Sequence, residues 1–465
     1  MVPYFNASML RDELDALEEN VDDFFIAICG IVIYFMQVGF AFLEAGSVRK
    51  KNTTNILLMV LLDGFFGCIT YWAVGYAFAF GEPSNPFIGH GYFFFSRMSD
   101  HKLTHFFFQF VFAATAVTIV SGALAERVAF EAYIIYSIVI TGFIYPVVSH
   151  WVWADDGWLL KGPGPGPGPD YISYQDFSGS SVVHMVGGIA ALVGCKILGP
   201  RIGRFNDDGS PNDINGHSIP FVALGGLVLF FGFLAFNGGS QVSISQPGDG
   251  VAVSAAIVNT IISGSFGALS TMLLVKYLLP VRKWSIILII NGGLTSMVAI
   301  CAGCNSAYAW GAAVIGCLGS LTYLGVSALV LKLNIDDPVD AVGVHLGGGT
   351  LGVLTAPLFS EVQGVFVVWT AESVLGWLWN ALGCLTIAAW CTGLCIILFG
   401  SLQLLNIFRV DPEIEAMGLD LTLHGEPAYP HQQKSLDDLN IDENSNVQVI
   451  HMKGSPGKQE TDVVV

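Results

Sequence analysis

His184 begins the run His184-Met185-Val186-Gly187-Gly188 and His345 begins His345-Leu346-Gly347-Gly348, both inside stretches otherwise apolar enough to be membrane. An ionisable side chain there is costly and marks a function by default. Two facing imidazoles in an apolar lumen are expected to be uncharged, one ring nitrogen donating and the other accepting. Such a pair offers a small polar solute a hydrogen bond without a fixed charge, and it can relay a proton. The competing structural reading is a buried histidine bonded to a nearby carbonyl, which suits one such histidine better than two in matching contexts. Zinc wants three or four nitrogen, sulfur or oxygen ligands. The neighbouring acids Asp176 and Asp340 are expected too far along their helices to complete such a set, so no metal and no cofactor is predicted.

The elements that must hold these rings are helices in a lipid bilayer. Of 465 residues, 53% are hydrophobic and 12% charged, more apolar surface than a water-soluble core can bury. A crossing helix takes about 20 apolar residues. Eleven stretches qualify: 24–46, 54–80, 104–124, 131–153, 177–199, 219–240, 251–278, 284–303, 307–331, 341–360 and 375–405. His184 falls in the fifth and His345 in the tenth, so the repeating unit is five spans, about 24–199 and 219–360, with helix 11 added at 375–405. An odd number of crossings per unit turns the second copy upside down, the inverted-repeat plan of many transporters, whose pathway lies at the repeat interface. The predicted fold class is an all-α membrane protein of eleven transmembrane helices in a five-plus-five inverted repeat. Asp176 precedes His184 by eight residues and Asp340 precedes His345 by five. Each acid is expected to mark a helix start, which puts the histidines about 12 and 7.5 Å in from opposite faces at 1.5 Å per residue.

The net charge of -18 lies largely at the ends. Residues 11–23 hold seven acids against one Arg, and residues 406–465 hold eleven against four Lys and Arg. Both read as solvated tails, and the acidity argues against nucleic-acid binding. Cytoplasmic loops collect Lys and Arg. With the N-terminus outside, the inner segments hold twelve such residues, from Arg49 to Arg409, and the outer ones four, Arg11, Arg97, Lys102 and Lys161. Residues 1–23 are therefore expected outside, 24–405 as the transport domain and 406–465 as a cytoplasmic tail. Asn6-Ala7-Ser8 is then a glycosylation sequon on the outer side. The Gly-Pro run 162–169 should be an extended outer spacer. The nine cysteines lie in or beside apolar stretches and give no disulfide framework, and the CxxC pair Cys301 and Cys304 reads as packing. No basic segment leading into a short apolar run opens the chain, so the N-terminus is expected to be kept.

Around the histidines the sequence resembles the Amt/Mep/Rh ammonium transporter family, from about residue 24 to Tyr429. The residues that carry the resemblance are Asp176-Phe-Ser-Gly-Ser-Ser-Val-Val-His184, Asp340-Ala-Val-Gly-Val-His345, Gly122-Ala-Leu-Ala-Glu126-Arg127, Phe236-Asn-Gly-Gly-Ser240 and Gly418-Leu-Asp420-Leu-Thr422-Leu-His424-Gly425-Glu426. The resemblance implies a homotrimer with a pore through each subunit. It implies an outer ammonium recruitment site at Trp153 and Ser240 with Phe108 beside them, and a stacked pore gate of Phe112 and Phe236 below. A Trp face attracts a cation and a serine oxygen accepts an N–H that potassium cannot offer. Taken alone, Trp153 is equally an interfacial belt residue, Ser240 a helix-packing residue and each phenylalanine core packing.

Asp176 resembles the family's buried outer supporting acid, a role compatible with an N-cap, and Asp340 is expected to do the same in the inverted copy. The resemblance further implies that Thr422 can be a phosphorylation switch in a tail packed under neighbouring subunits. Beyond Tyr429 the sequence turns acidic and aromatic-poor and reads as disordered, ending in Asp-Val-Val-Val465, a possible PDZ ligand. The long tail and the sequon lean toward a eukaryotic plasma membrane. The favoured expectation is an ammonium transporter that strips ammonium of its proton outside and passes ammonia through the lumen, with net charge transfer. The alternatives are an electroneutral ammonia or carbon dioxide channel of Rh type, disfavoured by Trp153 with Ser240, and an ammonium sensor. An enzyme is not expected, as neither HExxH nor G-x-S-x-G occurs in a supporting context.

Overall fold

The computed structural model describes residues 7–163, 172–280 and 282–429. Asn6, the Gly-Pro run beyond Pro163, the tail after Tyr429 and the terminal Val465 lie outside the described residues. Eleven helices are long and apolar enough to cross a membrane: α1 Leu10–Ser47, α2 Lys50–Phe80, α3 Asp100–Leu124, α4 Phe130–Lys161, α5 Ser180–Leu198, α6 Ile219–Gly239, α7 Asp249–Leu278, α8 Ile286–Gly303, α9 Ala309–Lys332, α10 Val342–Phe359 and α11 Ala371–Leu404. Among the described residues the only β pairing is isolated bridges. Every predicted span has its helix, because long apolar runs can satisfy their backbone in lipid only by closing it on themselves.

One boundary differs in kind. The acidic stretch 11–23, expected as a solvated tail, continues α1 as helix, exposed along most of its length. Glu, Leu, Ala and Arg are good helix formers, and a helix already nucleated by its apolar half extends cheaply into them. Asp22 then accepts the backbone N–H groups of Ile244 (2.6 Å) and Ser245 (2.9 Å), tying this extension to the loop after α6.

The core is built where the two repeats cross. Helix α3 is almost wholly buried, while α7, α9 and α11 leave broad apolar faces such as Leu269, Leu321, Leu385 and Ile397 outward, as lipid contact requires. The crossing of α5 with α10 depends on two glycines at equivalent positions, each four residues after a histidine. A Cβ on Gly188 would sit 2.3 Å from the Leu346 backbone nitrogen, and one on Gly349 would sit 2.3 Å from the Ser180 carbonyl oxygen. Both helices begin in a wide π-type turn, Ser180–Met185 and Val342–Gly347, and each turn carries its histidine. Such turns displace a side chain from the regular helical stripe and recur at functional sites.

Candidate functional site

The turn that starts α5 is set by Asp176 and Gly179. Gly179 adopts φ +99°, and a Cβ there would meet Trp153 at 3.2 Å, so only glycine fits both the backbone and the ring. The Asp176 carboxylate accepts the backbone N–H groups of Gly179 (3.0 Å), Ser180 (2.7 Å), Ser181 (2.7 Å) and Val182 (3.1 Å), and the Ser181 hydroxyl at 2.6 Å. It is an N-terminal cap with five donors, 4% exposed. Its own backbone carbonyl accepts from Trp153 Nε1 at 2.8 Å and fixes that ring.

The inverted copy uses a different acid from the one expected. Asp337 accepts the backbone N–H of Val342 at 2.8 Å and that of Val339 at 3.4 Å. It lies eight residues before His345, the spacing of Asp176 to His184. Asp340, the expected counterpart, instead accepts the Tyr323 hydroxyl at 2.8 Å and Asn291 Nδ2 at 3.5 Å. Its backbone sits at φ +59°, uncommon for a residue other than glycine. Five residues separate it from His345, too few to repeat the first cap.

These turns bring the two histidines together. His184 Nδ1 lies 3.1 Å from His345 Nδ1, with ring centroids 5.2 Å apart and planes 14° from parallel. His184 is fully buried and His345 is 8% exposed. Phe233 and Phe236 pack against His184 at 5.7 and 5.5 Å. Above, Phe112 and Phe236 lie 4.2 Å apart at 32°, and both are buried. Phe112 in turn meets Trp153 edge-on at 5.8 Å and Phe108 at 4.9 Å.

Beyond these rings a cavity of about 520 Å³ is lined by Phe108, Phe112, Trp153, Asp176 and Ser240. Ser240 ends α6 and donates its hydroxyl to Phe236 O at 2.8 Å, leaving its oxygen lone pairs available. Among the lining residues not singled out in the sequence are His105 and Gln109. The Gln109 Oε1 atom is buried without a partner, and its Nε2 lies 3.4 Å from His105 Nε2. The spacing of i to i+4 on α3 signals their contact, and among many apolar neighbours it carried no further signal. On the far side of His345 a cavity of about 30 Å³ follows, lined by Phe40, Glu44, Asn291 and His345 among others. Rings, histidines and cavities thus form one succession through the crossing. Among the described residues, no cluster of His, Cys, Asp or Glu could hold a metal ion.

A family model described as "Ammonium Transporter Family" matches residues 24–429. The chain belongs to the ammonium transporter family. It is 45% identical over 444 residues to "Putative ammonium transporter 1" of Caenorhabditis elegans, covering 90% of this chain and 82% of that one. It is 39% identical over 412 residues to "Ammonium transporter 1 member 2" of Arabidopsis thaliana, covering 84% and 80%. Among solved structures, "Sensor Amt Protein" superposes with a TM-score of 0.79 at 31% identity, over 88% of this chain and all of that one. Saccharomyces cerevisiae Mep2 shares the fold, with a TM-score of 0.74 at 22% identity over 84% and 88%. Family membership accounts for the multi-pass helical plan, and the five quoted motifs lie within the matched residues.

Two of those motifs lie at the face opposite the large cavity. Arg201 binds Asp336 through Nε (2.7 Å) and Nη2 (2.9 Å) and reaches Glu126 at 3.2 Å; Glu126 also holds Arg49. Burial raises the Asp336 carboxyl, but the hydrogen bonds from Arg201 and the charges of Arg127 and Arg201 hold it down at about 2. Arg127, fully buried, donates to the carbonyls of Gly199 and Asp336. The tail motif docks on α2: Leu419 N–H donates to Asn52 Oδ1 at 2.9 Å and Asn55 N–H donates to Asp420 Oδ1 at 2.8 Å, while within the motif the Thr422 hydroxyl donates to Gly418 O at 2.8 Å.

Proposed function

We propose that the protein is an ammonium transporter working by deprotonation. Ammonium enters the large cavity and settles between the Trp153 face and the Ser240 oxygen, with Phe108 alongside. There it exchanges its water for a ring face and one acceptor, a contact worth about 0.5–2 kcal/mol to a cation near a Trp. Ammonia then slips between Phe112 and Phe236 while its proton passes along His184 and His345, so transport carries net charge. The observation that carries this reading is the 3.1 Å Nδ1 to Nδ1 contact directly behind the Phe236 ring. Burial in an apolar lumen disfavours a bare cation, and a linked neutral pair gives a proton a separate route.

The basic-residue asymmetry supports an outside N-terminus and an inside tail at the plasma membrane, and the family supports a homotrimer with Thr422 as a regulatory position. Asp176 and Asp337 serve as supporting acids. The likeness to "Sensor Amt Protein" favours one second reading, in which the tail docked on α2 reports occupancy. Recording ammonium-evoked current and isotopic uptake in the same cells tests both. A transporter gives uptake with matching charge, an electroneutral channel gives uptake without current, and a sensor gives neither at a transporter's rate.

A further inference from the structure

The cavity behind His345 holds one polar group with no role so far. At about 30 Å³ it accommodates a single water-sized solute, which needs roughly 10–15 Å³. Glu44, in the last turn of α1, lines it and is 2% exposed. Among the described residues no ion pair holds this carboxyl. Its hydrogen-bond neighbour is Ser121, whose hydroxyl lies 3.1 and 3.3 Å from the two carboxyl oxygens and only 2.7 Å from Thr118 O. A hydroxyl has one hydrogen. With that hydrogen on Thr118 O, the donor left to the carboxyl is the uncharged backbone N–H of Gly122, and no cation balances its charge.

The fit is close as well. A Cβ on Gly122 would lie 3.0 Å from Glu44 Cδ and Oε1, so the glycine of the Gly122-Ala-Leu-Ala-Glu126-Arg127 motif makes room for this group. Asn291, across the cavity, turns its NH₂ toward Tyr323 and Asp340, which leaves its carbonyl oxygen as an acceptor. An isolated buried carboxylate is costly, so Glu44 is stable holding either a proton or a cation.

We propose that Glu44 is an inner ammonium site, where ammonia leaving the histidine pair is reprotonated and held before release. This rests on the deprotonating reading of the outer site. The proton stripped outside passes along His184 and His345 to the Glu44 carboxylate. Ammonia then takes it: the carboxyl O–H bond breaks, an N–H bond forms, and ammonium faces the carboxylate with the Asn291 oxygen as a further acceptor. Release of ammonium to the inner water leaves the carboxylate ready for the next proton.

The test compares Glu44→Gln and Glu44→Asp with the unaltered chain, reading ammonium-evoked current and isotopic uptake per surface protein. Glu44→Gln should lower the ratio of current to uptake at least fivefold while leaving the half-saturating external ammonium within twofold, and Glu44→Asp should keep at least half the ratio. An unchanged ratio in Glu44→Gln overturns the proposal. If that variant fails to reach the surface, infrared difference spectra of the purified unaltered protein decide. Ammonium should convert a protonated carboxyl to carboxylate, at a frequency that Glu44→Asp shifts. No conversion, or one unmoved by that substitution, overturns it. Absence of current and uptake in the unaltered chain would instead remove the transport reading itself.

Discussion

His184 and His345 meet through like nitrogens, Nδ1 to Nδ1 at 3.1 Å. One Nδ1 must carry the hydrogen and the other must accept it, so the two rings are opposite tautomers and their Nε2 atoms have opposite roles. Reversing the bond therefore moves a proton through both rings at once. The pair has a direction, and changing it is the relay.

That coupling predicts failure as a unit. Removing either ring leaves the other with an unpaired buried nitrogen, at about 1–3 kcal/mol, and breaks the relay. His184→Ala and His345→Ala should each lose selective ammonium current, and the double variant should be little worse than either single one. Ammonium-evoked current with potassium as competitor measures it; strictly additive losses would separate the two rings into independent sites.

Asp337, rather than Asp340, should behave as the partner of Asp176. Losing an N-terminal cap costs about 0.5–2 kcal/mol, and here the cap also sets the turn that aims a histidine. Asp176→Ala and Asp337→Ala are expected to lower both melting temperature and uptake. Asp340→Ala should retain at least half of the uptake per surface protein, since the Val342 N–H keeps its acceptor. Uptake lost in Asp340→Ala but kept in Asp337→Ala would reverse the assignment.

How far this was legible in the sequence follows from period and spacing. The eleven spans read correctly because a run of about 20 apolar residues admits one structure in lipid. The histidine pair was found because both rings stand in repeated contexts an odd number of spans apart. The second acid was misread although the spacing of eight, from Asp176 to His184, pointed to Asp337. Two aspartates three residues apart compete for one cap, and the hydrogen bonds decide between them: Asp337 takes the Val342 N–H, while Asp340 takes Tyr323 and Asn291. Glu44 could not be picked out, because a lone acid near a span's end has the same pattern as a solvated helix terminus.

The Arg201–Asp336 pair gives a stability prediction with a definite pH window. Asp336 is held at about 2 in the folded protein, below its ordinary 3.8. A depressed carboxyl stabilises the fold above its unfolded value and loses that contribution as pH falls through the folded one. Arg201→Gln should therefore cost about 3 kcal/mol, the lower end for a broken buried pair, because Arg204 remains 3.2 Å from Asp336. The deficit should be constant from pH 8 to 5 and shrink only below about pH 4. Thermal melts across that range check it, and a deficit that widens on acidification contradicts the assignment.

Thr422 sits where a new negative charge is unwelcome. Its hydroxyl donates to Gly418 O at 2.8 Å, and Asp420, two residues before, already places a carboxylate on the Asn55 N–H. Thr422→Asp should loosen the tail from α2 and lower transport at least threefold at unchanged surface level, while Thr422→Ala stays near the unaltered rate. Full activity in Thr422→Asp would remove the switch.

Trp153 should act through its face and its N–H separately. The face lines the large cavity beside Ser240, and Nε1 donates to Asp176 O at 2.8 Å, tying the outer site to the cap of the helix that carries His184. Trp153→Leu removes both. Loss of the cation's aromatic contact, about 0.5–2 kcal/mol, corresponds to a roughly 2- to 30-fold rise in half-saturating ammonium. Trp153→Phe keeps a smaller, weaker cation-binding ring and loses the hydrogen bond, so it should fall between Trp153→Leu and the unaltered chain. Concentration dependence of ammonium-evoked uptake in both variants measures this. If Trp153→Leu leaves half-saturation and maximal rate unchanged, ammonium is not recruited at this ring, and the cavity admits it by another contact.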